Sequence, residues 1–226
     1  GKGTRWNNRH VQGLSRSRGS EQKHGVDYEG VFAPVARYET IRTFLAYCVE
    51  EGFFVHQIDA VTAHVQGNLS DELSMEQPEL FGVPGELDKV GQLKRPSYGL
   101  KQAGREWYIK LESSLREIGF KRTDVDLCVF LKEEWKFKII TVIHVDDLLI
   151  SSNNITKLNE TKRILRNSFK MKDLGPVHDI LGMHVSRLGQ NGAIKLNQQK
   201  YIDDLILKLE LEGAKPVDTP LEINSK

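Results

Sequence analysis

Apolar residues recur along this chain with two different periods, and the points where the period changes mark out the elements. Across 39–52, Ile41, Phe44, Leu45, Cys48 and Val49 fall at helical spacing and Gly52 supplies a stop, which predicts a helix. Residues 53–58 then read as a buried strand running into Asp59. A mixed stretch follows, with short strand candidates at 73–76 and 90–94. The spacing of Trp107, Leu111, Leu115 and Ile118 predicts a second amphipathic helix over 103–118. Two β-rich runs, 127–131 and 137–145, lead to Asp146-Asp147, after which 148–150 resumes the apolar pattern. A third helix is expected at 155–169 on Leu158, Ile164, Leu165 and Phe169, and strands at 178–188 and 193–196. A fourth helix, 198–211, gathers Tyr201, Ile202, Leu205, Ile206 and Leu209 on one face. Strand, helix, two strands, helix, strand is the order of a split βαβ sheet, so the expected fold class is α+β.

Composition narrows the class. The 226 residues are 39% hydrophobic and 28% charged with 7 Pro, a globular balance and not a disordered or collagen-like one. Lys plus Arg is 32 against 31 Asp plus Glu, a net +1, which excludes a uniformly basic coat but leaves room for a local basic groove. No run approaches the length of a membrane span and no signal-peptide core opens the chain, so an intracellular setting, cytoplasmic or nuclear, with no membrane partner is expected. Cys48 and Cys128 sit in apolar runs without ligand spacing and read as small core residues in a reducing compartment. Residues 1–24 differ from the rest: Lys2, Arg5, Arg9, Arg16, Arg18 and Lys23 face only Glu21, which reads either as a frayed tail or as a damaged basic lobe.

The chemistry lies in carboxylates. Asp146-Asp147 interrupts an otherwise apolar β run, and burying two acids side by side is costly through desolvation and repulsion. A tight hairpin with the acids at its tip, or cation binding, offsets that cost. Taken alone, such a pair is most simply a solvated turn. Asp203-Asp204 serves as a control, since its apolar neighbours have helical spacing and its acids belong on a wet face. If the strand ending at Asp59 lies beside the hairpin, Asp59, Asp146 and Asp147 form a trio of hard oxygen donors suited to Mg²⁺. Two such ions suit in-line phosphoryl displacement.

Several motifs then occur in order. Asp59-Ala60-Val61-Thr62-Ala63-His64-Val65-Gln66-Gly67, followed by Met75-Glu76-Gln77-Pro78, resembles the first catalytic motif of copia-type LTR-retrotransposon reverse transcriptases. Tyr98-Gly99-Leu100-Lys101-Gln102-Ala103-Gly104-Arg105-Glu106-Trp107-Tyr108 is similar to their next motif, and His144-Val145-Asp146-Asp147 sits where they have a Tyr-Val-Asp-Asp box. Phe32-Ala33-Pro34-Val35-Ala36-Arg37, Met171-Lys172-Asp173-Leu174-Gly175, Leu181-Gly182, Lys215-Pro216 and Thr219-Pro220 also match in order, so the resemblance covers roughly residues 23–224. It implies a right-hand polymerase palm with a ferredoxin-like sheet, partial fingers and the start of a thumb. The expected organisation is a divergent basic segment at 1–24, fingers and palm at 25–186, and thumb or connection at 187–226.

The resemblance further implies an RNA-directed DNA polymerase acting on an RNA or DNA template-primer and a dNTP. Asp59, Asp146 and Asp147 would be the catalytic and metal residues, holding two Mg²⁺ with Mn²⁺ as the alternative. His64, Lys101, Gln102, Arg105 and His144 would meet nucleotide or template, within a local basic cluster of Lys94, Arg95, Lys101, Arg105 and Lys110. His64 stands where the family has an aromatic gate against the ribose 2′-hydroxyl, and His144 replaces the tyrosine ahead of the acids. Val61 replaces a common lysine and Gly104 a proline or serine, while the family's basic hairpin ahead of Gly25 is not recognisable in 1–24. No RNase H acid set follows, so the chain reads as a polymerase segment of a Pol polyprotein. The eroded surroundings of the acids leave a second expectation, a catalytically degenerate remnant that at most binds nucleic acid.

Overall fold

The three-dimensional structure is a computed structural model describing residues 17, 19–77, 85, 89–189 and 192–215. Most of the basic N-terminal segment, Arg16 and Arg18 included, lies outside the described residues, as do Pro78, Pro216, Thr219 and Pro220.

In chain order the elements are helix α1 (Tyr38–Glu50), strand β1 (Phe54–Ala60), the single turn α2 (Ala63–Gln66), the short strands β2 (Ser74–Met75) and β3 (Gly91–Gln92), and helix α3 (Ala103–Glu117). Then come β4 (Lys121–Arg122), β5 (Val129–Glu134), β6 (Phe137–His144), β7 (Asp147–Ser152), helix α4 (Ile155–Ser168) and β8 (Met171–Pro176). A small second sheet uses β9 (Asp179–Ile180), β10 (Met183–Arg187) and β11 (Ile194–Asn197), and helix α5 (Gln199–Lys208) follows.

The main sheet has the order β4-β5-β6-β7-β1-β8, with every neighbouring pair antiparallel. Strand β1, first in the chain among the long strands, is therefore inserted between β7 and β8. It needs apolar partners on both faces, and Val55, Ile58 and Ala60 are all buried. On one face lie α3 and α4, which meet where the Trp107 ring stands edge-on to Phe169 with centroids 5.3 Å apart. Trp107, Leu111 and Leu115 of α3 and Leu158 and Leu165 of α4 are almost wholly buried, each contributing on the order of 1.5–3 kcal/mol. Asn154 caps α4, its Oδ1 accepting from the Lys157 N–H at 3.1 Å.

The same face holds a polar cluster. Lys162, turned inward from α4, donates to His56 Nδ1 of β1 at 2.8 Å and to both Asp173 carboxylate oxygens at 2.9 and 2.8 Å. It thereby ties α4, β1 and the irregular register of β8 together. On the opposite face, Ile41, Phe44, Leu45 and Cys48 of α1 are buried, and Arg187 of β10 donates to the Phe53 and Cys48 carbonyls at the end of α1. Cys48 and Cys128 are free and buried, and burial pushes both thiols up to about 12.

The four expected helices, here α1, α3, α4 and α5, and the acid-tipped hairpin are present. Two local readings are corrected. The run 178–188 is not one strand but β9 and β10 joined at Leu181-Gly182, both with positive φ (51° and 73°), the turn that two-residue hairpins favour. Only Gly182 announces it, because Leu181 is apolar. Residues 171–176, read only as a motif, form β8, an edge strand whose polar residues hide its period. Helix α5 buries no residue, so the face carrying Tyr201, Ile202 and Ile206 lies exposed.

Candidate active site

Strands β6 and β7 close through a two-residue turn, Val145-Asp146, with His144 and Asp147 as the last pair. Val145 has φ +55°, a left-handed conformation that a β-branched residue resists. The surroundings hold it there. Trp107 Nε1 donates to the Val145 carbonyl at 2.9 Å, the Ala60 N–H donates to the Asp146 carbonyl at 2.8 Å, and His144 Nδ1 lies 3.1 Å from the Ala36 carbonyl. Helix α3, strand β1 and the segment leading into α1 thus all grip one turn.

The β1–β7 register sets Asp59 directly opposite Asp147. Cross-strand partners share a face with Cβ atoms about 4.5–5.5 Å apart, so these two carboxylates rise from one side of the sheet. Asp146 is the residue just before Asp147, at the turn. Asp146 and Asp147 are both raised, and the Asp59 charge contributes to each. Burial raises the Asp146 carboxyl above its ordinary value; nearby His64 draws it down, while Asp59 and Asp147 push it up. Burial also raises Asp147, opposed by a hydrogen bond from Gln57 and reinforced by Asp59. Tyr98 is raised by burial and then by Asp146 and Asp59, which marks it as a neighbour of the same group.

Among the described residues no three His, Cys, Asp or Glu side chains are already gathered as a metal-ligand set. The acids nonetheless fit a hard divalent cation by donor chemistry. Buried Asp146 Oδ1 has no hydrogen-bond partner, and a shared burden of negative charge is what a cation relieves.

The remaining expected residues divide into two groups. His64 and His144 lie at the acids: the His64 ring is 5.5 Å from that of Tyr98, and His144 is the register partner of Asp147. His64 also lines a cavity of about 160 Å³ with Ala33, Val35, Gly104, Trp107 and Val145. Gly104 leaves room there, since a Cβ would meet Ala33 Cβ at 3.7 Å and His64 Nε2 at 3.8 Å. Lys101 and Gln102 are instead tied to the segment before α1. Gln102, 1% exposed, donates to the Asp27 carbonyl and Asp71 Oδ2 and accepts from Gln22. Lys101 Nζ lies 3.3 Å from the Tyr28 hydroxyl and over its ring. Arg105 lies against Gly30, where an added Cβ would meet its Nε at 3.1 Å. Within the basic cluster, Lys110 donates to the Gln66 carbonyl at 2.6 Å.

Gln57, Tyr98 and Trp107 join the site without being among the residues expected from the sequence. Gln57 is 5% exposed and its Nε2 donates to Asp147 Oδ1 at 2.8 Å. A signal was available: it is the one amide in an apolar strand, two residues before Asp59 and so on the same face. Tyr98 and Trp107 gave no such signal, because their roles depend on a helix and a loop reaching the hairpin.

Comparison with known proteins adds ancestry to this geometry. Residues 4–223 match the family described as reverse transcriptase (RNA-dependent DNA polymerase). The chain is 40% identical over 206 residues to the retrovirus-related Pol polyprotein from transposon TNT 1-94 of Nicotiana tabacum, covering 90% of the chain and 15% of that protein. It is 34% and 35% identical to the corresponding polyproteins from transposons RE2 and RE1 of Arabidopsis thaliana, in each case over 93% of the chain and 14% of the relative. The chain therefore spans about one-seventh of the length of these relatives. The family match and these plant relatives assign the chain to the reverse transcriptase (RNA-dependent DNA polymerase) family, among the copia-type retrotransposon Pol polyproteins.

Proposed function

We propose that this chain is the polymerase segment of its polyprotein, an RNA-directed DNA polymerase that extends a primer on an RNA or DNA template from dNTPs. The observation that carries the reading is the β1–β7 register, which sets Asp59 opposite Asp147 with Asp146 beside them. The strand order β6-β7-β1-β8 with α3 and α4 on one face supports a palm of split βαβ type. On this reading residues 25–186 are fingers and palm, and 187–226 begin the thumb or connection.

Asp59, Asp146 and Asp147 would hold two Mg²⁺, or Mn²⁺ in their place. Bound there, the ions would activate the primer 3′-hydroxyl and neutralise charge developing on the triphosphate. The chain's own residues set the stage for that step. Trp107 and Ala60 hold the strained hairpin so that Asp146 and Asp147 need no reorganisation, and Gln57 takes one oxygen of Asp147 and leaves the other. His64, packed on Tyr98 at the cavity, would bound the sugar of the incoming nucleotide. Lys101, Gln102 and Arg105, with His144, would shape the template and nucleotide path from the α3 side.

The test is primer extension on an RNA template with Mg²⁺, comparing the wild type with Asp146→Asn. Extension by the wild type and its loss in the variant supports the reading. Extension unchanged by the substitution removes Asp146 from the chemistry. Salt-dependent template binding without incorporation by the wild type would instead establish the degenerate remnant.

A further inference from the structure

Residues 161–172 contain Lys162, Arg163, Arg166, Lys170 and Lys172 and no acid. The structure divides these five. Lys162 turns inward to Asp173 and His56. Arg163, Arg166 and Lys170 turn outward and, with Asn167, Phe169 and Met171, line an open groove of about 410 Å³ where α4 gives way to β8. Among the described residues, none of these three cations makes a side-chain hydrogen bond or an ion pair. The acids on adjoining elements are engaged elsewhere, Glu160 with Lys157 and Asp173 with Lys162, both at 2.8 Å. A cation at a helix C-terminus is ordinarily favoured by the helix dipole, which accounts for Arg166 in the last turn of α4. It does not account for Lys170, which lies beyond the helix, nor for three like charges around one groove.

The groove opens at the end of the sheet that carries the acids. The Lys170 carbonyl accepts from the Val61 N–H at 2.9 Å, Met171 pairs with Ala60, and Lys172 pairs with Asp59. Strand-to-strand spacing is about 4.8 Å, so the groove starts one strand away from the first acid.

We infer that the Arg163–Arg166–Lys170 groove is a contact site for the phosphodiester backbone of single-stranded nucleic acid, separate from the acid centre. The choice of nucleic acid over another polyanion rests on the polymerase reading; the groove and its unpaired cations do not. Contacts of this kind are independent of base sequence and are read through salt. Each phosphate neutralised on a single strand adds about 0.7 to the slope of log affinity against log salt, so three contacts add about 2.

The experiment measures binding of fluorescein-labelled oligodeoxythymidine to the full chain by anisotropy, across about 50 to about 200 mM salt. It compares the wild type, the triple variant Arg163→Gln/Arg166→Gln/Lys170→Gln, and a control, Lys121→Gln/Lys136→Gln/Lys195→Gln, which removes the same charge from exposed positions elsewhere. All six side chains are exposed, and matching thermal melts verify that both variants fold. The triple variant is expected to show a slope shallower by about 2, so that over this range the wild type loses roughly 16-fold more affinity than the variant does. The control should follow the wild type. Equal slopes in the triple variant and the control overturn the inference. A second arm titrates inorganic tripolyphosphate by calorimetry. Loss of that binding in the triple variant, with oligonucleotide affinity unchanged, makes the groove a small-anion site and also overturns it. Primer extension by the wild type, run in parallel, separates the two readings: extension with equal slopes overturns the groove alone, and a shallower slope in the triple variant without extension overturns only the polymerase reading.

Discussion

Removing the Asp173 carboxylate should unfold this protein more readily than removing the lysine it holds. Lys162 has a side chain only 5% exposed, and its ammonium is satisfied by His56 and by both oxygens of Asp173. Asp173→Ala leaves that ammonium buried with one neutral partner. Breaking a buried pair in this way costs about 3–5 kcal/mol. The carboxylate is 29% exposed, so water enters the vacated space, and about 3 kcal/mol, the low end, is expected. At about 2–4 °C per kcal/mol for a chain of this size, the melting temperature should fall by about 6–12 °C. Lys162→Met keeps the stem and removes the charge that needs compensation, and its cost should stay below about 1 kcal/mol. The double variant should resemble Lys162→Met, which gives a coupling of about 3 kcal/mol in a mutant cycle. Urea unfolding followed by circular dichroism, with thermal melts alongside, measures all four proteins. The reasoning fails if Asp173→Ala lies within about 1 kcal/mol of the wild type, or if Lys162→Met is equally damaging.

Other outcomes follow from the same structure. Burial, then the Lys162 charge, lowers the His56 pKa below its ordinary 6.5, with Asp173 opposing. Its contribution to stability is therefore present above 6.5 and lost as pH falls through the depressed value; melts from neutral into mildly acidic buffer should show this loss, and His56→Gln should flatten it. A Cβ at Gly67 would meet Trp107 N at 2.9 Å and the Glu106 carbonyl carbon at 3.0 Å, so Gly67→Ala must part α2 from α3 and should cost about 1–3 kcal/mol in the same urea assay. Gly104→Ala, with only ordinary contacts, should cost nearly nothing, and equal effects at the two positions would contradict the packing described. Val145→Gly relieves the left-handed strain of the hairpin and should raise stability by about 1 kcal/mol, a gain that a melt detects. Gln57→Leu removes a hydrogen bond to a charged group, about 1.5–3 kcal/mol, so primer extension should fall on the order of tenfold or more while the fold persists.

Local pattern was enough to find α1, α3 and α4, because each has a single apolar stripe, and to find the hairpin, because two acids inside a β run have few places to go. It also singled out Asp59, Asp146 and Asp147 as the residues on which chemistry would rest. Local pattern was silent where a contact joins distant stretches. Gln57 stands out as the one amide of its strand, but that its amide meets an acid ninety residues later depends on strand pairing, and Trp107 reads as one more apolar position on a helix face. Lys162 looks like any surface lysine of an amphipathic helix, yet it is 4% exposed.

What the chain's order of residues established was therefore the inventory: which segments coil, which extend, and which carboxylates stand out against their surroundings. Folding decided the pairing. Inserting β1 between β7 and β8 brought Asp59 opposite Asp147, and a slip of one residue would have turned Asp59 to the other face. Helical and strand periods are set by each residue's near neighbours, whereas register and insertion are set by the joint burial of strands, helices and the Lys162 cluster, which exists only once the sheet has closed.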